Sequence, residues 1–205
     1  MSREDQKERS ESVRQAILDT ALEIGLAEGF EAVSIRKIIS RMRYSTGVIY
    51  HHFQDKQEVI DAIEASETAR LGAQIRAATD ESQDIVANML AVFHRVMVLA
   101  IEQPEKYNLI VLHKYSRSSQ SKTPWIDYLA GHIKRDMGAG LLREMDPLRA
   151  AFSIWSSFLG FNLMISRQEN LLKEEAEALF QTQAGIILHG ILQNTLPINN
   201  EGEVK

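Results

Sequence analysis

Apolar residues return along this chain with the period of an α-helix almost from end to end. Val13, Ile17, Ala21 and Ile24 fall on one stripe, widened by Leu18 and Leu22, and predict a helix over about residues 10–28. Gly29 stands just past its end, where a residue in the left-handed region commonly stops a helix. Ser34 is placed to cap a short second helix through about residue 42, with Ile35, Ile38 and Ile39 inward. Ser45 is placed to cap a third, carrying Val48, Ile49 and Tyr50. Asp55 and Glu58 have capping-box spacing and open a fourth, with Val59, Ile60 and Ile63, that runs to about residue 78.

The rest of the pattern is also helical. About residues 81–103 carry Ile85, Met89, Val92, Val96 and Leu99 or Ala100 on a stripe. Pro104 suits the first turn of a short helix through about residue 113. Residues 115–123 are polar and serine-rich and read as a loop. A helix follows over about 124–137, broken by Gly138 and Gly140. Asp146 and Pro147 then cap a helix reaching about residue 167, with Phe152, Trp155, Leu159 and Leu163 as one face. The last helix spans about 173–195, before Pro197. No strand is predicted. The fold class is all-α, about nine helices, with the N-terminal three as a separate small unit.

Composition narrows the picture further. With 44% hydrophobic and 25% charged residues, the chain is in the ordinary globular range. It has no cysteine, which removes disulfides, thiolate metal sites and cysteine nucleophiles. The first eleven residues are densely charged with both signs and lack the apolar core of a signal peptide. No apolar run reaches the ~20 residues of a membrane helix, so a cytoplasmic protein without a membrane partner is expected. The net charge is −5, unlike a protein that binds nucleic acid by bulk charge. Locally the balance reverses. Between Ala32 and Lys56 the basic residues are Arg36, Lys37, Arg41, Arg43 and Lys56, and Asp55 is the only acidic one. Such a patch docks on phosphates while the remaining surface repels them, although a solvated helix face has the same composition.

Two short helices joined by a few residues, the second polar on one side, have the shape of a helix-turn-helix, whose second helix enters the major groove. By periodicity alone, two such helices are more often mere packing. The residue pattern is more specific. Ile17–Leu18 and Ala21–Leu22, then Gly29–Phe30, Ser34 and Ile38, lead to the run Ser45-Thr46-Gly47-Val48-Ile49-Tyr50-His51-His52-Phe53 and Asp55–Lys56. This resembles the TetR family of bacterial transcription regulators, whose signature there is Ser-x-Gly-x-Leu/Ile-Tyr-x-His-Phe followed by x-Asp/Asn-Lys. The turn departs from the family's Ala-Gly-Val-Ser: here it is Met42-Arg43-Tyr44-Ser45. Arg43 stands where glycine normally supplies a permissive backbone, Tyr44 replaces a small core-facing aliphatic residue, and Ile39 replaces the usual alanine. The turn is thereby altered in shape, or Arg43 adds a contact to DNA.

The resemblance implies a division into a DNA-binding domain over residues 1–54, a ligand-sensing and dimerisation domain over 55–198 with a connecting helix at 55–78, and a disordered tail over 199–205. It implies a repressor that binds a palindromic double-stranded operator as a homodimer and is released by a small-molecule effector. Tyr50, His52 and Lys56 match positions that touch the DNA backbone, with Ser34 and Lys37 as further candidates. Thr46, Gly47, Val48 and His51 face the groove floor, Arg36 falls where some members read guanine, and Arg43, Tyr44 and Ser45 complete the interface. The family also pairs its last two helices, here about 147–167 and 173–195, with those of a second copy. Ser156, Ser157, Gly160, Ala184, Gly185 and Gly190 permit close approach there, and Phe152, Phe180, Ile187 and Ile191 supply apolar area. Pro104–Glu105 and the stretch from Gly140 through Asp146–Pro147 to Ala150–Ala151 look like the family's C-terminal domains more loosely.

Met89, Phe93, Met97, Tyr107, Tyr115, Trp125, Met137, Trp155 and Phe158 are candidates to line a pocket for an apolar or aromatic effector, since adaptable methionines beside aromatics suit a bulky apolar molecule. Each taken singly is more often core. His51 and His52 are adjacent and point apart on a helix, a poor chelate, and His94, His113, His132 and His189 are scattered, so no metal and no cofactor is expected. With no strand–turn–helix elbow to present a serine, a catalytic role is not expected. The competing reading is a small helical enzyme or carrier of an apolar molecule whose N-terminal helices only pack.

Overall fold

The computed structural model describes residues 3–79, 85–115, 124–168 and 170–191. Parts of the predicted 115–123 loop, the start of the predicted 81–103 helix and the tail over 199–205 lie outside the described residues. The helices are α1 (Arg3–Glu28), α2 (Ile35–Met42), α3 (Thr46–His52), α4 (Lys56–Ala78), α5 (Ile85–Glu102), α6 (Pro104–Ile110), α7 (Pro124–Gly138), α8 (Pro147–Ile165) and α9 (Lys173–Ile191), with a 3-10 turn at Phe30–Ala32. There is no strand among the described residues.

The chain divides into two compact units. Unit 1 takes the described residues of Met1–Ala77 and Glu102–Ser121; unit 2 takes those of Ala78–Ile101 and Lys122–Lys205. The helix-turn-helix thus shares a unit with α4 and, from further along the chain, with α6.

In unit 1 the expected stripe of α1 is the core: Ile17, Leu18, Ala21 and Ile24 are buried, as are Phe30, Val33, Ile38, Ile49 and Phe53. The helix itself begins at Arg3, about two turns before the predicted start at residue 10, because its first residues are exposed and need no stripe. Two glycines fix the bend after α1. A Cβ on Gly25 would stand 2.5 Å from the Phe30 ring, so only glycine lets that ring seat against the helix. Gly29 has φ 84° and ψ 147°, a region essentially reserved for glycine, so it stops the helix by a different geometry from the left-handed cap expected.

α6 and the turn behind it are bonded into this unit at several points. Lys106 Nζ lies 2.8 Å from Glu67 on α4, and His113 Nδ1 lies 2.5 Å from Glu64. Gln57 Nε2 donates to the Tyr115 carbonyl at 2.6 Å, and the Tyr115 hydroxyl donates to Glu105 at 2.7 Å. The Tyr115 ring packs on Phe30 with centroids 5.4 Å apart.

Unit 2 is built from α5, α7, α8 and α9. Met89, Phe93, Val96, Met97 and Ala100 of α5 are buried, with Leu129 and Ile133 of α7 and Ala176, Phe180, Ala184, Leu188 and Ile191 of α9. α7 and α8 pack along each other, and Arg143 N–H donates to the Ile191 carbonyl at 2.9 Å, tying the α7–α8 connection to the end of α9. The buried face of α8 is Ala151, Ile154, Trp155, Phe158, Asn162 and Ile165, not the predicted Phe152, Trp155, Leu159 and Leu163. Phe152 is 60% exposed. α8 is apolar nearly all round, so periodicity alone cannot say which side turns inward. By length and composition alone this 19-residue helix is apolar enough to cross a membrane, a test that core helices of soluble folds also pass, and 33% of that stretch is buried inside the fold.

Candidate nucleic-acid interface

α2 starts on Ser34, whose backbone is extended and whose Oγ accepts the Lys37 N–H at 3.2 Å, the expected cap. Ile38 alone of the three predicted isoleucines is fully buried; Ile35 and Ile39 are half-buried. The helix ends on Arg43, which takes the left-handed conformation, φ 57° and ψ 28°, and donates its N–H to the Ile39 carbonyl at 2.9 Å. The backbone therefore keeps the left-handed geometry that glycine supplies in the family, and a bulky cation is carried through it. Its side chain is exposed. Tyr44, at 41% exposure, does not enter the core as the aliphatic residue it replaces would.

α3 follows on Ser45. Ser45 occupies the cap position with an extended backbone, but its side chain makes no cap hydrogen bond, contrary to the role expected of it; only its carbonyl accepts the Val48 N–H at 3.1 Å. Ile49 is fully buried and Val48 half-buried, while Thr46, Gly47, Tyr50 and His51 are exposed. Phe53 closes the helix, buried as expected, with the Arg14 guanidinium 5.1 Å from its ring centroid. A Cβ on Gly47 would meet nothing within 4 Å, so no packing inside the protein asks for glycine at this helical position. His51 and His52 stand edge to face at 5.1 Å. Partial burial, then the neighbouring His51 and Arg14, push the His52 imidazole below its ordinary value, so it offers a neutral ring N–H at pH 7.

The basic residues fall into two groups that the sequence does not distinguish. Glu28 at the end of α1 accepts Lys37 Nζ at 2.7 Å and Arg41 Nη2 at 2.9 Å, and its carboxyl is held below the usual range, first by the Lys37 hydrogen bond. Lys56 Nζ donates to the Glu31 carbonyl at 2.8 Å, tying the start of α4 to the turn after α1. Arg36 and Arg43 are exposed and have no acidic partner among the described residues. At the start of α4, Asp55 Oδ1 accepts the Glu58 N–H at 2.9 Å, and Glu58 reaches back to the Gln54 N–H at 2.6 Å, one residue earlier than a capping box has it.

The effector candidates divide between the units. Tyr107 is buried in unit 1, where Tyr115 packs on Phe30. Met89, Phe93, Met97, Trp125, Met137, Trp155 and Phe158 belong to unit 2, and four of them, Phe93, Trp125, Trp155 and Phe158, meet at ring distances. No group of three His, Asp or Glu side chains that could hold a metal is found among the described residues.

A short exposed helix anchored by one buried isoleucine, preceded by a capped partner helix and flanked by two unpaired arginines, defines a helix-turn-helix DNA-binding protein of the all-α class. Comparison with known proteins agrees. Residues 17–63 match the model of bacterial regulatory proteins of the tetR family. The transcriptional repressor AcnR of Corynebacterium diphtheriae is 30% identical over 147 residues, 66% of this chain and 70% of AcnR. The TetC protein of transposon Tn10 from Escherichia coli is 29% identical over 75 residues, which span only 38% of TetC. Among solved structures, AibR in complex with isovaleryl coenzyme A and operator DNA aligns at a TM-score of 0.65 and 23% identity, over 85% of this chain and 97% of that one. The chain belongs to the TetR family of bacterial regulatory proteins, and it is a helix-turn-helix regulator of transcription rather than an enzyme.

Proposed function

We propose that this regulator is a cytoplasmic, dimeric repressor that grips a palindromic operator through α3 and releases it when an apolar or aromatic effector occupies unit 2. The observation that carries the DNA reading is Gly47. It lies in the first turn of α3 on the exposed face with Thr46, Tyr50 and His51, and a Cβ there would meet nothing in the chain, so the missing side chain leaves room for a DNA surface to approach the helix backbone. Around Gly47, Thr46, Val48 and His51 face the bases, and Arg36 pairs a guanine. Tyr50 and the neutral ring N–H of His52 hold phosphates, and Arg43 adds a cation at the turn. Ser34, Lys37 and Lys56 stand at the edge of this surface with their polar groups already engaged, so their first role is to hold α2 and α4 in place. DNA binding resides in residues 1–54, within unit 1, and sensing and dimerisation in the part of 55–198 that forms unit 2.

The dimer reading rests on α8 and α9. Leu148, Phe152 and Met164 of α8 are exposed on one stripe with Ser156 and Gly160 between them, and α9 exposes Leu179 and, at 67%, Ile186. A second copy covers this apolar surface, and the small residues let the helices approach. Phe180 and Ile191 do not take part, because they are buried within the protomer. AibR, a chain of this fold, has been solved with isovaleryl coenzyme A and operator DNA together, which supports a fold that takes both a small molecule and an operator. The test is fluorescence anisotropy with DNA from upstream of the chain's own gene. Saturable binding that weakens steeply with salt supports the reading. Absence of binding at low salt, or a monomer at micromolar concentration in sedimentation, overturns it.

A further inference from the structure

Unit 2 buries several polar atoms that the fold leaves without partners. Asn162 is 1% exposed, and neither its Oδ1 nor its Nδ2 has a hydrogen-bond partner. The indole Nε1–H groups of Trp155 and Trp125 are buried and unpartnered in the same way. Buried polar groups in native folds are almost always satisfied, so several orphans in one unit need a reason. They are not scattered. Trp155, Phe158 and Asn162 lie on one face of α8. The Trp125 and Trp155 rings stack at 6.2 Å and 19°. Phe93 of α5 stacks on Phe158 at 3.7 Å and 6°, and lies 6.5 Å from Trp155. The aromatic planes of three helices therefore gather around the same face of α8 that carries the unpaired amide.

We infer that this face of α8 is the specificity element of an effector site, and that it takes an uncharged, planar, two- or three-ring aromatic molecule with a hydrogen-bonding group at each end. The assignment rests on the reading of the chain as an effector-released regulator. Each element of the ligand follows from a residue. Phe93 and Phe158 already touch face to face and form a flat aromatic wall, and the Trp125 and Trp155 planes, 6.2 Å apart, leave the wider gap beside it for a flat aromatic body. The two indoles need an acceptor, a hydroxyl or carbonyl oxygen. Asn162 offers one acceptor and two donors, which an amide satisfies completely. Trp155 and Asn162 are seven residues apart, about 10 Å along the helix axis, so one molecule that serves both is the length of a substituted naphthalene. The arginines and lysines described in unit 2 are all exposed, so no buried cation waits for a carboxylate or phosphate, and the ligand is neutral. Asp136, the remaining orphan of this unit, is eleven residues from Trp125 on α7 and already paired with Arg135, and it is not part of the site.

The test uses 6-hydroxy-2-naphthamide and its hydrocarbon shape analogue, 2-isopropyl-6-methylnaphthalene, on the full-length protein. The chain has only two tryptophans, and both are in the site, so the indole N–H region of a proton–nitrogen correlation spectrum reports on it without assignment work. The expected result is a saturable downfield shift of an indole signal with the naphthamide, and affinity at least about tenfold above that of the hydrocarbon. Asn162→Leu loses that preference while keeping or raising the melting temperature, because it removes a buried unpaired group. Trp155→Phe keeps the ring, drops the N–H, and weakens the naphthamide several-fold. Equal binding of the two compounds, no saturable shift, or an Asn162→Leu protein that melts lower with unchanged naphthamide preference overturns the assignment. Operator anisotropy run in parallel separates the two readings. A naphthamide that binds with this preference but leaves operator bound upholds the site and overturns effector release. Operator binding in a protein with no naphthamide preference upholds the regulator and overturns the site.

Discussion

Arg43→Gly separates two roles of the turn between α2 and α3. Arg43 sits at φ 57° and ψ 28°, where an L-residue costs about 1–2 kcal/mol because its Cβ crowds the backbone. Glycine removes that strain but loosens the unfolded chain, at about 0.4–1 kcal/mol. The difference predicts a net gain near 0.5–1 kcal/mol, or roughly 1–4 °C in melting temperature for a chain of this size. DNA binding moves the opposite way. If each Arg43 neutralises one phosphate, a dimer loses two such contacts, and the slope of log affinity against log salt falls by about 1.8. The assays are thermal melting at fixed protomer concentration and operator titration at several salt concentrations. Arg43→Ala is the control: it loses the same slope but keeps the strained backbone, so it gains no stability. A less stable Arg43→Gly protein would show that the side chain has contacts worth more than its strain. An unchanged salt slope in both variants would place Arg43 away from phosphate.

Gly47→Ala raises stability by up to about 1 kcal/mol, since its Cβ meets nothing in the chain, and weakens operator binding at least tenfold; calorimetry and anisotropy on one preparation check both signs. Gly25→Ala drives a methyl group into the Phe30 ring and costs about 1–3 kcal/mol in denaturant unfolding. The His52 imidazole is depressed in the folded chain, so below its unfolded pKa the unfolded state takes up the proton more readily and stability falls as pH drops past about 6.5. A neighbouring phosphate favours the charged ring, so operator affinity rises over the same window, and His52→Gln abolishes that pH dependence if His52 is its source. Phe152→Glu puts a charge on the exposed stripe of α8 and yields a monomer in sedimentation, with operator binding lost because a lone half-site grip is too weak.

The N-terminal elements were legible because each is written in local chemistry. Ser34 caps α2, Gly29 stops α1, and the spacing from Ser45 to Phe53 puts Ile49 and Phe53 inside while Thr46, Gly47, Tyr50 and His51 stay out. Tertiary pairing was not legible. Lys37 and Arg41 are nine and thirteen residues from Glu28, and nothing local distinguishes them from the unpaired Arg36 and Arg43. The inward face of α8 was misread for a related reason. A helix that is apolar toward both its own core and a surface stripe has no single period to follow, so Phe152 looked like core and Asn162 was overlooked. An amide two turns from a tryptophan, on the stripe it shares with Ala151, Ile154, Phe158 and Ile165, was the signal that marks it. Tyr107 and Tyr115 were grouped with the other aromatics by type, and only the fold buries Tyr107 in unit 1 and sets Tyr115 against Phe30.

The discontinuity of unit 1 has a consequence for how the chain is made. Tyr115, which covers Phe30, and His113 and Lys106, which pair with α4, are translated after the whole of α5. Synthesis runs at about 5–20 residues per second, so the 38 residues from Ala77 to Tyr115 take roughly 2–8 s. For that interval the helices that hold DNA are complete in sequence but lack one wall. The nascent regulator waits on its own α6, and a fragment cut at the end of α4 would be born with its aromatic seat open. Truncations meant to isolate the DNA-binding half should therefore be judged by solubility first, with a circularly permuted or linker-joined version that restores residues 102–115 as the fair comparison.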